Sequence, residues 1–493
     1  MTALPKSSRT AAAAAIVAVL AACTSAHSPP APTGDLGREL AGKVSVDGML
    51  VHLRKLQEIA DANNGTRAEG TRGYDASVDY VVRTLQNKGL DVQTPEFSRL
   101  SMVTRGNPTL SVAGHGYAVD QASLLLMTPP GGLSALTLRP EKPAGCTAAD
   151  YGAVSVHGAI AVVDDAGCSV ADKQNTAIAK GAVALLVVSA AGRNGSPRGL
   201  FRPGYYQQLK VPVGVIGADA DAALRTTSAP VRLILDGKAT GVKARNVVAQ
   251  TKTGDTHNVV VVGAHLDSMP ASPGINDNGT GVAALLETAA ALGSLPQRTN
   301  AVRFTFWGSE EAGVQGSMNY LFGLDRDRLN DIALYLDFDM IGSPNAGFFT
   351  DDGDQSGQPN PDIPASAVPV GSAGIERTLA GYLNLAGKRP ADMPLGRTTD
   401  YSAFLTAGVP IGGATTGATQ QKTPVQARLW GGPAGVAFDP NYHTGQDTIG
   451  NVNRDALAIM GRAAAFAVGT YAQSIEGVNG VPSHDQRHRS PGP

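Results

Sequence analysis

The sequence has little of what marks several common classes of protein. Its 493 residues include three cysteines, too few for a small domain held together by disulfides. Aromatic residues make up 5% of the chain, and 40 basic against 42 acidic residues leave a net charge of −2. A chain without an excess of positive charge has no electrostatic reason to bind nucleic acid. Hydrophobic residues reach 42%, which is enough for a folded core, and the length of the chain predicts about two to three domains.

The first residues lack an apolar run long enough to cross a membrane. The run over residues 11–22 falls short of the ~20 residues that a bilayer requires, but it suits a signal peptide because Lys6 and Arg9 precede it. We therefore predict a signal peptide over residues 1–22. The following Cys23, preceded by Leu-Ala-Ala, resembles the lipidated cysteine of bacterial lipoproteins. The alternative is an ordinary signal peptide with an incidental cysteine.

Both ends of the mature chain have the composition of unpacked segments. Residues 23–44 begin rich in Ser and Pro, and we predict a flexible tether there. Residues 477–493 are rich in Pro, His and Arg, and we predict a mobile tail. With a lipid at Cys23, the protein would be held at the extracytoplasmic face of the cell membrane.

Export would also allow the remaining cysteines to pair. Cys146 and Cys168 lie 22 residues apart, and a bridge between them would stabilise the fold by roughly 3 kcal/mol. The alternative is a metal site with two cysteines. No histidine has a spacing that would complete such a site, so we favour the disulfide.

The apolar patterns divide the chain into a catalytic domain and an insert. Residues 47–63 and 73–88 have the spacing of amphipathic helices. After residue 240, apolar strands alternate with helices, and residues 253–255 carry the signal of a hairpin turn. We predict an α/β domain over 45–107 and 240–476, with a mixed, mostly parallel sheet flanked by helices. Residues 108–239, rich in short strands and glycine turns, form the insert.

Part of this insert is similar to a known module. The segment 158–188 contains Asp164, Cys168, Lys173 and Gly181 between two apolar strands, and it resembles the protease-associated domain. This resemblance implies a small β-rich domain inserted into a peptidase.

Candidate metal ligands begin where a predicted strand ends. His265 closes the apolar run 259–264, and ligands bind at such strand ends in open α/β sheets. Asp267, two residues on, points to the same side of an extended chain. We therefore predict that its carboxylate accepts the second imidazole N–H, as partners of metal-bound histidines do.

Four further sites carry candidate metal ligands or catalytic residues. Asp277 stands in a glycine-rich turn before a helix, where its two oxygens could bridge two cations. Glu310 and Glu311 end an apolar strand, and adjacent side chains diverge, which suggests a base at 310 and a ligand at 311. Asp339 ends another apolar strand. Far downstream, His443 could supply a second imidazole, and the neighbouring Tyr442 could donate to a developing oxyanion.

These residues suit a pair of metal ions. Two histidines and three acids match two zinc ions with one bridging carboxylate, and two adjacent metals stabilise the attacking and leaving groups in hydrolysis. The predicted ligands are His265, Asp277, Glu311, Asp339 and His443. Manganese or cobalt could use the same ligands.

The combined motifs resemble those of the secreted double-zinc aminopeptidases, the leucyl/aminopeptidase-S type of zinc exopeptidase, over about residues 45–476. The resemblance implies that His265 and Asp339 hold one zinc, that Glu311 and His443 hold the other, and that Asp277 bridges. It also implies that Glu310 is the general base, that Tyr442 polarises the scissile carbonyl, and that the substrates are peptides with a free N-terminus.

The chain departs from this family at three places. Asn441 and Gln446 replace the cysteines that commonly frame the loop of the last histidine, and Asp337 stands where Asn is usual. The segment 396–400 is one residue longer than in relatives, which puts a substrate-binding role of Arg397 in doubt. Two alternatives remain: another zinc-dependent reaction on this fold, such as carboxypeptidase, dipeptidase or glutaminyl cyclisation, and a non-catalytic binding protein.

Overall fold

The computed structural model of this chain describes residues 35–189, 205–293 and 298–489. The predicted signal peptide and Cys23 lie outside the described residues. Among the helices of the described part, none combines the length and the apolar composition needed to span a membrane.

The described residues contain 12 α-helices and 19 β-strands. The helices are α1 (Leu36–Lys43), α2 (Val46–Asp61), α3 (Arg72–Asn87), α4 (Val170–Ala179), α5 (Ala218–Thr226), α6 (Thr280–Gly293), α7 (Gln315–Phe322), α8 (Arg326–Asp331), α9 (Ser372–Leu385), α10 (Tyr401–Thr406), α11 (Pro424–Trp430) and α12 (Arg454–Gln473). The strands are β1 (Asp91–Gln93), β2 (Glu96–Thr104), β3 (Thr109–Val112), β4 (His115–Ala118), β5 (Asp120–Gln121), β6 (Leu133–Ala135), β7 (Thr137–Leu138), β8 (Ile160–Asp164), β9 (Ala184–Val188), β10 (Val213–Ile216), β11 (Val231–Ile234), β12 (Lys238–Arg245), β13 (Val247–Gln250), β14 (Asp255–His265), β15 (Asn300–Trp307), β16 (Ile332–Phe338), β17 (Phe349–Asp351), β18 (Ala391–Met393) and β19 (Ile411–Thr415).

Eight of these strands form the sheet that carries the candidate site. Their order is β1-β13-β15-β14-β16-β19-β17-β18. The central strand β14 runs parallel to β15 and β16, and β19 runs parallel to β16. The predicted fold class, a mixed and mostly parallel sheet flanked by helices, is confirmed. The hairpin expected at residues 253–255 is wrong, because β15 lies between β13 and β14 and pairs with both.

Both faces of this sheet are buried, which explains its continuous apolar strands. Along β14, Val260 and Val262 face a core formed with α2, α6 and α12, whereas Val259 and Val261 face the opposite core with Leu321 of α7. This double cover makes the sheet a rigid support for the residues at its edge.

Residues 35–44 are not part of a flexible tether, so that prediction is wrong at its C-terminal end. Asp35 caps α1 by accepting a hydrogen bond from the Arg38 backbone N–H, at 3.0 Å. Leu36 and Leu40 of this helix are buried, and α1 packs against α12. Leu36 and Leu40 lie one helical turn apart, and their burial stabilises a helix here. The Ser- and Pro-rich composition of the preceding segment therefore does not extend to these residues.

The predicted mobile tail is also wrong as far as residue 489. Arg487 and Arg489 are buried, although arginine is usually exposed. Arg487 donates to the carbonyl oxygens of His257 and Asn330 at 3.0 and 2.9 Å, and Arg489 donates to that of Leu329 at 2.9 Å. The amino-acid composition of the tail could not predict these contacts, because each joins a charged side chain to a backbone carbonyl oxygen.

The insert has its own sheets and its own core. One sheet has the order β5-β10-β9-β8-β7, and the other has the order β4-β3-β11-β6. Cys146 and Cys168 form a disulfide with a Cα–Cα distance of 5.7 Å. The paired strands β2 and β12 flank the insert in sequence, so the chain enters and leaves it along one ladder.

Candidate metal centre

The predicted ligands meet at the carboxyl ends of the central strands. His265 is the last residue of β14, and Asp339 directly follows β16. Glu311 lies in the loop after β15, Asp277 in the turn before α6, and His443 in the loop before α12. Parallel strands place their carboxyl ends at one edge of a sheet, so β14, β15 and β16 bring these segments together.

The five side chains form two groups of donors that share Asp277. In the first, here called the strand group, His265 Nε2 lies 3.0 Å from Asp277 Oδ1 and 3.4 Å from Asp339 Oδ1. In the second, the loop group, His443 Nε2 lies 3.2 Å from Asp277 Oδ2 and 3.1 Å from Glu311 Oε2. Each oxygen of Asp277 therefore faces a different imidazole.

Four buried side-chain atoms that could bind a metal ion have no hydrogen-bond partner. They are Asp277 Oδ2, Glu311 Oε1, Asp339 Oδ1 and His443 Nε2. Unpaired buried polar atoms are costly and rare in folded proteins. Cations bound between them would satisfy all four, and His, Asp and Glu are ligands that zinc accepts. The residues thus fit two divalent cations with one bridging carboxylate.

The charges of the site also favour bound cations. Burial raises the pKa of Glu311 to about 8, and the neighbouring Asp277 adds to the shift. Burial also opposes ionisation of Asp277, but the adjacent imidazoles of His265 and His443 outweigh this effect and lower its pKa to about 2. Burial acts against charging of His265, yet the carboxylates of Asp339 and Glu310 hold its pKa well above the usual value. Positive ions would neutralise this concentration of acids.

Glu310 lines the cleft beside the centre but belongs to neither donor group. Burial raises the pKa of its carboxyl group well above the usual value, and Asp400 and Asp339 raise it further. A carboxyl group that holds a proton readily, next to a metal centre, is suited to accept a proton from an attacking water.

Asp267 supports the centre in a different way from the one predicted. His265 Nδ1 lies 3.1 Å from the backbone carbonyl oxygen of Asp267 and 3.8 Å from its carboxylate, so the carbonyl orients the imidazole. The carboxylate instead accepts the backbone N–H groups of Glu310 and Glu311, at 3.1 and 3.3 Å. The predicted carboxylate–imidazole hydrogen bond is therefore wrong, because β14 ends at His265 and the backbone carbonyl group of Asp267, not its carboxylate, faces Nδ1.

Two supporting residues were missed in the sequence. Asp447 is buried and accepts the backbone N–H groups of Asn276 and Asp277, at 2.7 and 3.0 Å, so it ties the His443 loop to the shared carboxylate. Arg67 is fully buried and donates to the carbonyl oxygens of Leu266 and Gly274. The position of Asp447, four residues after His443, was a usable signal; nothing in the sequence around Arg67 points to the site.

The loop of His443 is held without the usual disulfide. The Thr444 N–H donates to the Asn441 carbonyl oxygen at 3.0 Å, and the Asn451 side chain donates to the Gln446 carbonyl oxygen at 2.8 Å. Tyr442 stacks on His443 with ring centroids 3.7 Å apart and lines the cleft. Burial raises the pKa of Tyr442, so its phenol retains the proton that it could donate.

A cleft of about 280 Å³ opens beside the metal centre. Arg397 does not line it; its guanidinium is exposed and donates to the Asp362 carbonyl oxygen at 3.0 Å. Thr399, in the same segment, donates a hydrogen bond of 2.7 Å to the Asp337 carboxylate.

The fold and the paired donor groups define a candidate dinuclear metal centre on an α/β sheet. The model of peptidase family M28 matches residues 246–468, and that of the PA domain matches residues 133–224. The chain is 48% identical to a probable lipoprotein aminopeptidase, LpqL, of Mycobacterium tuberculosis, over 94% of this chain and 93% of that protein. It is 36% identical to an aminopeptidase of Pseudomonas aeruginosa, over 88% and 82% of the two chains.

A zinc aminopeptidase from Bacillus subtilis aligns over 85% of this chain and 94% of its own, with 22% identity and a TM-score of 0.48. The sequence matches establish that this chain belongs to peptidase family M28 and carries a PA domain. The resemblance to the zinc aminopeptidases and to the protease-associated domain is confirmed.

Proposed function

We propose that this protein is a lipid-anchored zinc aminopeptidase that uses two zinc ions to release the N-terminal residue of peptides. The observation that carries the proposal is the position of Asp277, whose two oxygens face the two histidines of separate donor groups. The similarity of this chain to proteins named aminopeptidases, at 48% and 36% identity, supports the reaction class.

Each residue has a role in this proposal. His265, Asp277 and Asp339 would hold one zinc, and Asp277, Glu311 and His443 would hold the other. Zinc supplies a Lewis acid that polarises a carbonyl group and makes water more acidic. Glu310 takes the proton of the attacking water and passes it to the departing amine. Tyr442 donates its phenolic proton to the oxygen that becomes negative, and this hydrogen bond stabilises the transition state.

The reaction is tested with aminoacyl anilides and their N-acetylated counterparts. We expect hydrolysis only of the compounds with a free α-amine, loss of activity with a chelator, and recovery when zinc is returned. Cleavage of C-terminal residues, or cyclisation of N-terminal glutamine, would replace this function with another reaction of the same fold. A purified chain that holds no zinc would indicate a non-catalytic relative.

We also propose that Cys23 carries the lipid and keeps the enzyme at the extracytoplasmic face of the cell membrane. The support is the sequence around Cys23 and the name of the Mycobacterium tuberculosis relative, a probable lipoprotein. The test is Cys23→Ala: we expect the variant in the soluble extracytoplasmic fraction and the unaltered protein in the membrane fraction. Equal membrane retention of both would contradict the anchor.

A further inference from the structure

The cleft beside the metal centre differs in chemistry between its two ends. Asp277, Glu310 and Asp339 line the end at the metal centre, whereas Asp351 and Met393 line a region formed by β17 and β18. In the sheet order, β17 stands two strands away from β16. At the usual strand spacing the backbones of β16 and β17 lie about 10 Å apart, and the cleft is lined by residues from both sides of this distance.

Asp351 is a buried acid without a partner in the described residues. Asp351 is 7% exposed and lines the cleft. No described residue donates a hydrogen bond to its carboxylate. Gly413 makes room for it: a Cβ at that glycine would lie 2.6 Å from Asp351 Oδ2. The sheet thus accommodates a carboxyl group here and offers it no hydrogen-bond donor from the described residues.

The neighbouring Asp337 lines the same cleft and differs from Asp351, because its carboxylate has hydrogen-bond donors. Its carboxylate accepts hydrogen bonds from the Tyr335 hydroxyl at 3.1 Å, the Thr399 hydroxyl at 2.7 Å and the Tyr401 backbone N–H at 3.3 Å. Asp351 has no such set, although it is buried to a similar degree. An uncompensated buried carboxylate is costly unless a cation pairs with it.

Part of the cleft wall suits a long aliphatic chain. Met340, Met393, Pro394 and Ala414 line it, and no Lys, Arg or His of the described residues does. A positive partner of Asp351 would therefore come from outside the described fold. A lysine or arginine side chain has both required parts, an apolar stem and a charged tip.

We propose that Asp351 binds the charged side chain of the substrate's N-terminal residue, so that the enzyme prefers peptides that begin with Lys or Arg. This inference rests on the proposed aminopeptidase function, because that function places the first residue in the cleft. A carboxylate at the base of a pocket is an established way for a peptidase to select cationic residues.

The test compares lysyl and norleucyl anilides, whose side chains have the same apolar stem and differ in the ammonium group. We expect kcat/KM of the zinc-loaded enzyme to be at least about tenfold higher for the lysyl substrate. In Asp351→Asn this ratio should fall by about tenfold to a hundredfold, through the lysyl substrate alone. The control is Asp392→Asn, which removes one negative charge from the adjacent strand β18 but lies outside the cleft, and which should keep the ratio.

The outcomes separate the two proposals. A ratio near one in the unaltered enzyme, or a ratio that Asp351→Asn leaves unchanged, overturns the role of Asp351 while the aminopeptidase function stands. Failure to hydrolyse either anilide overturns the aminopeptidase function and this inference with it. If Asp351→Asn does not fold, competition in the unaltered enzyme decides: free lysine should inhibit more strongly than norleucine, and equal inhibition overturns the proposal.

Discussion

The two donor groups share Asp277 but are built on different kinds of structure. The strand group takes its other ligands from the ends of adjacent parallel strands, whose register is set by the pairing of Gly263 with Asp337. The loop group takes His443 from a loop, where it adopts a left-handed backbone with φ 59°. The side chain of His265 is 2% exposed and that of His443 is 31% exposed. The sheet thus determines one group, whereas hydrogen bonds within and around a loop determine the other.

Removal of the shared ligand Asp277 should disrupt both donor groups, so it should cause the largest loss of bound zinc and of activity. In Asp277→Ala both groups lose a carboxylate oxygen, so we expect less than about one zinc per chain and no measurable hydrolysis. Metal analysis and an aminoacyl anilide assay check this. A variant that still binds two zinc ions would show that Asp277 is not shared.

Glu310→Gln should leave both groups intact and stop the chemistry. Because Gln cannot accept the proton of the attacking water, we expect kcat to fall about 10²–10⁴-fold. Zinc content, measured on the same sample, should equal that of the unaltered protein. Unchanged kcat would exclude Glu310 as the base.

Histidine substitutions compare the groups directly. His443→Ala should keep about one zinc per chain and change the stability of the zinc-free protein by less than about 0.5 kcal/mol, because about a third of this side chain is exposed. His265→Ala should also lose a zinc, but it leaves a cavity and an unpaired Asp277 oxygen, which costs about 1–3 kcal/mol of unfolding free energy. Urea unfolding of both zinc-free variants checks the contrast, and equal destabilisation would contradict it.

Asp447→Asn should weaken the loop group selectively. The new amide cannot accept both backbone N–H groups that Asp447 accepts, so we expect the affinity for the zinc of the loop group to fall about 10–100-fold. Competition with a zinc chelator measures this. Asp455→Asn, on the exposed start of α12, is the matched control and should bind zinc normally.

The smallest effect on activity is expected from the insert, which contributes to neither group. Replacing Cys146 and Cys168 together with serine should destabilise the insert by up to roughly 3 kcal/mol. Anilide hydrolysis should stay within about twofold, since no ligand moves. A loss of activity equal to that of the Asp447 variant would instead place the insert in the catalytic machinery.

The contrast between the groups also explains what could be predicted from the sequence. His265 and Asp339 follow apolar strands, and strand ends of a parallel sheet meet by geometry, so their proximity was predictable. His443 was recognised only from its acidic, glycine-rich setting and from the family resemblance. Arg67 bonds to backbone carbonyls about 200 residues away, and such contacts leave no local pattern. The hairpin at residues 253–255 was mispredicted because a local turn signal cannot reveal a third strand inserted between two others.

The central claim is that Asp277 is shared by two metal ions, and anomalous diffraction at the zinc absorption edge tests it most directly. We expect two zinc peaks about 3.5–4 Å apart, one beside His265 and one beside His443, with an Asp277 oxygen bound to each. A single peak, or two peaks of which only one contacts Asp277, would contradict the account.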